Sequence, residues 1–386
     1  MTAAYIVEAV RTAGGRRKGA LSGVHPVDLG ATVLDALVAR SGIDPARIED
    51  VIMGCVTQAG EQSFAFGRNC ILGSSLPDSI PGVTIDRQCG SSQQAVQFAA
   101  QAVVSGMQDV VIAAGTESMT RVPMFSNTTL HMKAGIGEGP FPASILNRYG
   151  VAQFSQFTGA QMIADKYGFS RDDMDRFALD SHRKAAAAIE AGAFRDEIVP
   201  VQTADGLFAQ DEGVRFDATL EKIGSLDPIV EGGTITAANA SQMTDGSSGV
   251  IVVNERALKA LNLTPIARIH HASVSAGDPV IMLEEPIAAT RKALAKAGMT
   301  LADIDLYEVN EAFASVPMAW LKALDADPAK LNVNGGAIAL GHPLGASGTK
   351  LMTTMIHALK ARGGRYGLQT MCEGGGISNV TIVEVL

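Results

Sequence analysis

Short apolar runs of strand length alternate along the chain with stretches whose apolar residues recur every three to four positions. The first pattern predicts buried strands and the second amphipathic helices. Ala4–Val7 reads as a strand, Pro26–Arg40 as a helix, and Val51–Gly54 and Gly82–Asp86 as strands. Ser91–Val104 has helical periodicity and ends at Gly106, and Asp109–Ala114 is a buried strand. The second half repeats this order. Helix Pro286–Ala297 precedes Gly298, and strands Asp305–Val309 and Leu331–Val333 follow. Helix Thr349–Lys360, closed by Gly363 and Gly364, leads to strands Tyr366–Met371 and Val380–Val385. Alternation of this kind predicts an α/β fold.

The halves align at one offset. Gly42 and Gly298, Ile48 and Ile304, Ser91 and Ser347, and Glu117 and Glu373 are each 256 positions apart. A repeat with matching element order predicts a duplicated α/β core. Met119–Thr158 breaks the pattern, being rich in Met, Pro, Gly and Asn with little periodicity. Ser170 and Asp173 form a capping-box signature for a helix to about Ile189, with Gly192 behind it. Residues 200–240 return to loop chemistry. The expected division is therefore 1–118 plus about 242–264 for one half, 119–241 for an inserted loop domain covering the core, and 265–386 for the other half. Long inserted loops of this kind carry binding function.

Composition narrows the function classes. Of 386 residues, 47% are hydrophobic and 18% charged, enough for a sizeable core and too apolar for a disordered chain. A net charge of -9 argues against nucleic acid or an anionic membrane as the main partner. It leaves room for a small anionic ligand held by local cations and helix N-termini. No apolar run approaches the roughly 18 residues that span a bilayer. Glu8 and Arg11 interrupt the N-terminal apolar stretch, so no secretory signal is expected. Cys55, Cys70, Cys89 and Cys372 form no C-x-x-C pair. A reduced, cytoplasmic protein without a disulfide framework is the expectation.

Four places carry candidate chemistry. Cys89 falls between a strand and a helix, where free N–H groups favour a thiolate and should lower its pKa; the alternative is a small buried hydrophobe. His342 lies in the glycine-rich stretch Asn334–Gly345, poised as a general base or simply satisfied in a turn. Cys372 precedes Gly374, Gly375 and Gly376, whose unobstructed N–H groups suit an oxyanion hole or a tight turn. Asn310 and Glu311 end a strand, where they would also make an ordinary N-cap with an acidic first turn.

Taken together these stretches resemble the thiolase family. The resemblance rests on Cys89-Gly90-Ser91, Asn239-Ala240-Ser241, Asn310-Glu311-Ala312-Phe313-Ala314, Asn332–Pro343 and Cys372-x-Gly374-Gly375, in order along nearly the whole chain. It implies a thiolase fold: duplicated βαβαβαββ halves in an α-β-α-β-α layered core with an inserted loop domain. It further implies an acyltransferase that cleaves 3-ketoacyl-CoA with coenzyme A, or runs the reverse Claisen condensation. By position, Cys89 would be the acyl-carrying nucleophile and His342 its proton acceptor. Cys372 would exchange a proton with the α-carbon. Asn310 would hold a water in one oxyanion hole, and the backbone N–H groups of Cys89 and Gly374 would form another. Ser241 and, by a looser match, Arg215 would contact CoA, and Phe313 and Gln156 would line the substrate site.

Acetyl-CoA and coenzyme A then enter as substrates, with no permanently bound cofactor and no metal. A homodimer or homotetramer is implied. Two other readings compete: zinc held by Cys89, His342 and Cys372, and a thiolase-fold acyl-CoA-binding protein that has lost its chemistry. No nucleophile or base is missing, which favours the enzyme. His270-His271 reads as a strand end rather than a metal pair, His131 and His182 have no evident partner, and Cys55 and Cys70 read as core.

Two departures from the family pattern stand out. Glu373 sits beside Cys372 and could raise its pKa unless turned away. Ser155-Gln156 takes the place of a His-Met pair typical of short-chain biosynthetic thiolases. That change predicts a site for acyl groups longer, bulkier or more polar than acetoacetyl, with an acetoacetyl-CoA-specific acetyltransferase as the alternative.

Overall fold

The computed structural model describes residues 3–386. The first half contains β1 (Ala4–Thr12), α1 (Pro26–Ser41), β2 (Asp50–Gly54), α2 (Phe66–Gly73), β3 (Gly82–Ile85), α3 (Ser91–Ser105), β4 (Val110–Ser118) and β5 (Thr244–Asn254). Between β4 and β5 run α4 (Gln156–Tyr167) and α5 (Arg171–Glu190). The second half contains β6 (Ala267–Ala276), α6 (Glu285–Ala297), β7 (Leu306–Val309), α7 (Ser315–Leu324), the single turn α8 (Ala337–Leu340), α9 (Ser347–Arg362), β8 (Tyr366–Glu373) and β9 (Ile377–Val385).

The strands form one hydrogen-bonded path, β7-β8-β9-β6-β1-β5-β4-β2-β3. The order β1-β5-β4-β2 of the first half recurs as β6-β9-β8-β7 in the second, so the duplication is topological as well as sequential. The halves meet where β1 runs antiparallel to β6, with Ala4 opposite Ile269 and Ile6 opposite Ala267.

Side-chain alternation on these strands sorts the core into layers. Val110, Ile112 and Ala114 of β4, with Ile251 and Val253 of β5, pack outward with Val33, Leu34 and Leu37 of α1. Val111, Ala113, Val250 and Val252 face the other way, onto Val96 and Ala99 of α3 and Met352, Met355 and Ile356 of α9. Leu368, Val380 and Ile382 of the second half pack with Ile287 and Ala293 of α6 and Trp320 of α7. Two sheet halves thus enclose a central pair of helices, with further helices outside. The central pair touches closely: a Cβ on Gly348 would lie 2.0 Å from the backbone N of Gln93.

One sequence expectation changes. Leu331–Val333 is not a strand but a single bridge from Leu331 to Tyr307. Asn332, at φ 42°, accepts from Val309 N at 3.0 Å and donates to Val309 O at 3.0 Å. Its side chain takes the groups that a ladder would use. The stretch Met119–Thr158 also holds short helices, Ser126–Lys133 and Ala143–Tyr149, neither with a buried residue. The Ser170–Asp173 capping box is present as expected.

Candidate active site

The turn from β3 to α3 is fixed by its own polar side chains. Asp86 Oδ1 accepts Gln88 N–H at 2.7 Å, and Ser91 Oγ accepts from Arg87 N at 2.9 Å and donates to Gln88 O at 2.6 Å. These bonds hold Gln88 at φ 48°, a left-handed conformation costing a non-glycine residue about 1–3 kcal/mol. The strain sits on the residue before Cys89 and turns Cys89 inward. Its side chain packs with Val56, Met119, Leu344, Leu351 and Met371.

The expected lowering of the Cys89 pKa is corrected here. Burial pushes the thiol well above its ordinary value, and neighbouring Cys372 and Glu373 push it the same way. Desolvation outweighs the helix N-terminus because Cys89 is buried and, among the described residues, no cation acts on it to favour the thiolate. The resting Cys89 side chain is therefore a thiol, and any attack through its sulfur would require a base.

His342 stands at the end of the glycine-rich stretch. Its backbone N–H is held by Gln242 O at 3.1 Å and Thr244 Oγ1 at 3.2 Å. Ring Nδ1 lies 2.6 Å from Ser347 Oγ, which donates to Pro343 O at 2.8 Å. With its proton committed to Pro343, Ser347 accepts from His342, and this network assigns the proton to Nδ1. Nε2 is left with its lone pair, 3.4 Å from Asn310 Nδ2. Burial, then the Lys350 cation, push the imidazole pKa down to about 3, so the ring is neutral near pH 7.

Cys372 is the penultimate residue of β8, opposite Ser378, and is buried. Burial and Glu373 push its thiol up to about 12. The glycines that follow abut the Cys89 turn: a Cβ on Gly374 would meet Gln88 Oε1 at 2.9 Å. Among the described residues, the backbone N–H groups of Cys89 and Gly374 have no protein acceptor. Glu373 turns toward Gly90 and accepts Asn379 N–H at 3.0 Å. Burial raises its carboxyl to about 8 against the opposing pull of Arg87, so it is mostly neutral near pH 7.

Asn310 follows β7, with its N–H on Thr370 O at 3.1 Å. Its Oδ1 is buried without a partner among the described residues. Phe313 stacks edge-on against Phe157 with ring centroids 5.6 Å apart. Ser241 N–H donates to Ala312 O at 2.9 Å, which seats Ser241 beside that motif. Gln156 is the first residue of α4, behind the N-cap Ser155. The structure thus sets the Cys89 turn against Cys372 and Gly374, and His342 against Asn310, with Phe313, Ser241 and Gln156 on adjoining segments. Arg215 has an exposed side chain and its N–H on His182 Nδ1 at 3.1 Å. That bond supplies the partner that His182 lacks in the sequence. Burial and Arg215 lower the His182 pKa to about 4.

Other residues of the site were not legible. Ser347, Gln242 and Thr244 orient His342; of these, only Ser347 entered the sequence reading, as the repeat partner of Ser91. Glu311 is not an acid in the first turn of a helix: α7 begins only at Ser315, and Glu311 is buried. Glu117 is also buried. It accepts N–H groups of Val56, Thr57 and Gly345 and the amide of Gln62, which ties the Pro343–Gly345 turn to the first half. Its 256-residue relation to Glu373 was the available clue. His270 and His271 lie within β6, and among the described residues no group of three or more His, Cys, Asp or Glu could hold a metal. Cys55 and Cys70 are core residues whose thiols burial pushes up.

This arrangement can be set beside known proteins. Residues 4–256 match the family described as thiolase, N-terminal domain, and residues 263–385 match thiolase, C-terminal domain. The chain belongs to the thiolase family. It is 54% identical over 387 residues to a Mycobacterium tuberculosis protein named steroid 3-ketoacyl-CoA thiolase, covering 100% of this chain and 95% of that one. An Escherichia coli acetyl-CoA acetyltransferase is 43% identical, covering 99% of this chain and 98% of that one. The crystal structure of a Bacillus anthracis acetyl-CoA acetyltransferase superposes with a TM-score of 0.91 at 36% identity, covering 100% of this chain and 99% of that one. The layered fold expected from the sequence is therefore the thiolase fold, and the protein is an acyltransferase. No helix of the described residues is long and apolar enough to cross a membrane.

Proposed function

We propose that this thiolase carries its acyl group on Cys89 and cleaves 3-ketoacyl-CoA substrates larger than acetoacetyl-CoA. The observation that carries the chemistry is a buried, neutral imidazole whose Nε2 keeps its lone pair, in a structure that also sets the Cys89 turn against Cys372 and Gly374. In thiolysis Nε2 takes the Cys89 proton as the sulfur attacks the C3 carbonyl. The oxyanion on C3 forms against the N–H groups of Cys89 and Gly374, while Nε2–H of His342 and a water on Asn310, whose buried Oδ1 lacks a protein partner among the described residues, face the thioester oxygen that becomes the enolate oxygen. Collapse breaks the C2–C3 bond and leaves its electron pair as the enolate of acetyl-CoA. The Cys372 thiol protonates C2, and acetyl-CoA departs. Coenzyme A then gives its thiol proton to the Cys372 thiolate and attacks the acyl-Cys89 carbonyl. The N–H groups of Cys89 and Gly374 hold that oxyanion. The Cys89 thiolate leaves and recovers its proton from His342. Run backwards, the same steps are a Claisen condensation.

The substrate reading rests on the covering segment and on the 54% relative. Ser155 spends its hydroxyl capping α4, accepting Thr158 N–H at 3.3 Å, so the position offers a small group where a histidine ring would stand. Phe154 packs on Phe141 and Tyr149, and Phe157 on Phe313, which builds an aromatic wall suited to a bulky apolar acyl group. In this reading residues 119–241 form the domain that covers the site, and Ser241 and Arg215 contact CoA. A homodimer or homotetramer in the cytoplasm completes it. The exposed edge strand β3, with Val83 on it, supports assembly through that edge. The deciding measurement is kcat/KM for thiolysis of acetoacetyl-CoA against medium-chain and cyclic 3-ketoacyl-CoA. Preference for a larger substrate is expected; preference for acetoacetyl-CoA over all of them restores the acetoacetyl-CoA reading.

A further inference from the structure

Immediately before His342 the chain makes the single turn α8. Four residues cannot hold a helical turn through their own hydrogen bonds. Buried groups outside the steps above grip it from both ends. At the front, Glu311 Oε2 accepts Ile338 N–H at 3.1 Å and Ser181 Oγ–H at 2.7 Å, while Oε1 accepts from Asn332 Nδ2 at 2.9 Å. A Cβ on Gly336 would overlap this carboxylate at 2.2 Å. In the middle, Gln242 Nε2 donates to Ile338 O at 2.8 Å. At the back, Lys350 Nζ, from α9, donates to Leu340 O at 2.5 Å and Gly341 O at 3.0 Å. An anion at the N-terminal end of the turn and a cation at its C-terminal end both match its dipole.

Gly341 is the joint between this turn and the imidazole. Its φ is 82°, and a Cβ would meet Thr244 Oγ1 at 2.1 Å. Fixing its carbonyl therefore fixes the peptide from which His342 hangs. Lys350 is costly to keep there. It is buried, and burial and Arg11 push its pKa down, to about 8, while Asp211, Glu197 and Glu308 oppose them. Arg11 is itself spent on Asp211, at 2.8 Å, and Glu197, at 2.5 Å. A buried ammonium with no carboxylate in hydrogen-bond contact among the described residues, but with two carbonyls of one turn on its Nζ, points to a task at those carbonyls.

We propose that Lys350 is a positioning residue for His342, clamping the Leu340 and Gly341 carbonyls against the Glu311 anchor so that Nε2 stays aimed at the site. The proposal rests on the reading of His342 as the proton acceptor for Cys89. The charged groups around Lys350 are Arg11 from β1, Glu197 and Asp211 from the covering segment, Glu308 from β7 and the imidazole of His342.

The test measures the rate of Cys89 acylation by acetyl-CoA across pH, in the full-length protein, with thermal melts to establish folding. Lys350→Met should slow acylation about 10-fold or more at nearly unchanged KM. It should also move the acid limb of the profile to higher pH, because the cation that disfavours protonated His342 is gone. Lys350→Arg, which keeps charge and donors, should restore most of the rate and return the limb. Folded Lys350→Met with wild-type rate and limb overturns the proposal. So does a loss of rate with the limb unmoved and no rescue by arginine. If Lys350→Met does not fold, Glu311→Gln decides: slowed acylation supports the clamp, and wild-type acylation overturns it. His342→Ala, run alongside, separates the two readings, since wild-type acylation in that variant would remove His342 as the base rather than Lys350 as its clamp.

Discussion

Glu373 rests on the α-carbon of Gly90: a methyl group there would meet its Oε1 at 2.0 Å. The carboxyl next to one cysteine in sequence is thereby pressed against the residue that follows the other. Its ionisation should be visible in stability. Burial raises its folded pKa to about 8, from an ordinary 4.5. A raised carboxyl binds its proton more tightly in the folded state, so its contribution is complete below about 4.5 and is lost as pH rises through about 8. Denaturation midpoints measured from pH 6 to 9.5 should fall in the wild type and fall less in Glu373→Gln. Parallel curves for the two proteins would show that Glu373 is already ionised at neutral pH.

Gly90→Ala tests the same contact from the other side. The added methyl must displace the carboxyl or shift the start of α3, and overpacking of this kind costs about 1–3 kcal/mol. Urea denaturation should show that loss, with acylation of Cys89 reduced alongside it. The paired variant Gly90→Ala with Glu373→Ala should recover stability relative to Gly90→Ala alone, because the obstructing atoms are gone.

The contrast between Cys89 and Glu311 shows what a sequence conveys about this site. The position of Cys89 was legible because a strand, a turn and a periodic helix are local patterns, and the 256-residue repeat carried the duplicated core. Its pKa was not. The helix N-terminus is a local feature, whereas the desolvation that outweighs it comes from Met119, Leu344, Leu351 and Met371, brought in from three separate segments. Glu311 looked like an ordinary first-turn acid because its partners Ser181, Asn332 and Ile338 lie 130, 21 and 27 positions away. The strand expected over Leu331–Val333 failed for a related reason. Asn332 bonds Val309 through its side chain, and a side-chain substitute for a ladder leaves no trace in hydrophobic alternation.

The three catalytic assignments predict separable defects. After incubation with acetyl-CoA and digestion, mass spectrometry should locate the acetyl group on Cys89, and Cys89→Ala should lose turnover. Cys372→Ala should still acylate Cys89 while exchange of acetyl-CoA α-protons with deuterated water collapses. His342→Ala should slow acylation itself, by about 100-fold or more, because a buried thiol with a raised pKa has lost its base. Wild-type α-proton exchange in Cys372→Ala would remove that residue from its assigned role.

The last prediction concerns the wall of the acyl site. Ser155 caps α4, and Gln156 is the helix's first residue, half-buried beside Phe157. Replacing the pair by Ser155→His and Gln156→Met introduces the residues that short-chain biosynthetic thiolases resembling this chain typically carry there. The histidine ring fills volume that serine leaves open, and the methionine supplies an adaptable apolar wall in place of an amide that needs partners. Loss of the serine cap should cost about 0.5–2 kcal/mol, which a thermal melt will register. The selectivity readout is independent of that loss, because it is a ratio measured on one protein. The double variant should shift kcat/KM toward acetoacetyl-CoA relative to a cyclic or medium-chain 3-ketoacyl-CoA, by about 10-fold or more if one ring's volume is taken from the pocket. A ratio unchanged from wild type would mean that Phe157, held edge-on against Phe313, and not the Ser155-Gln156 pair, closes the acyl site.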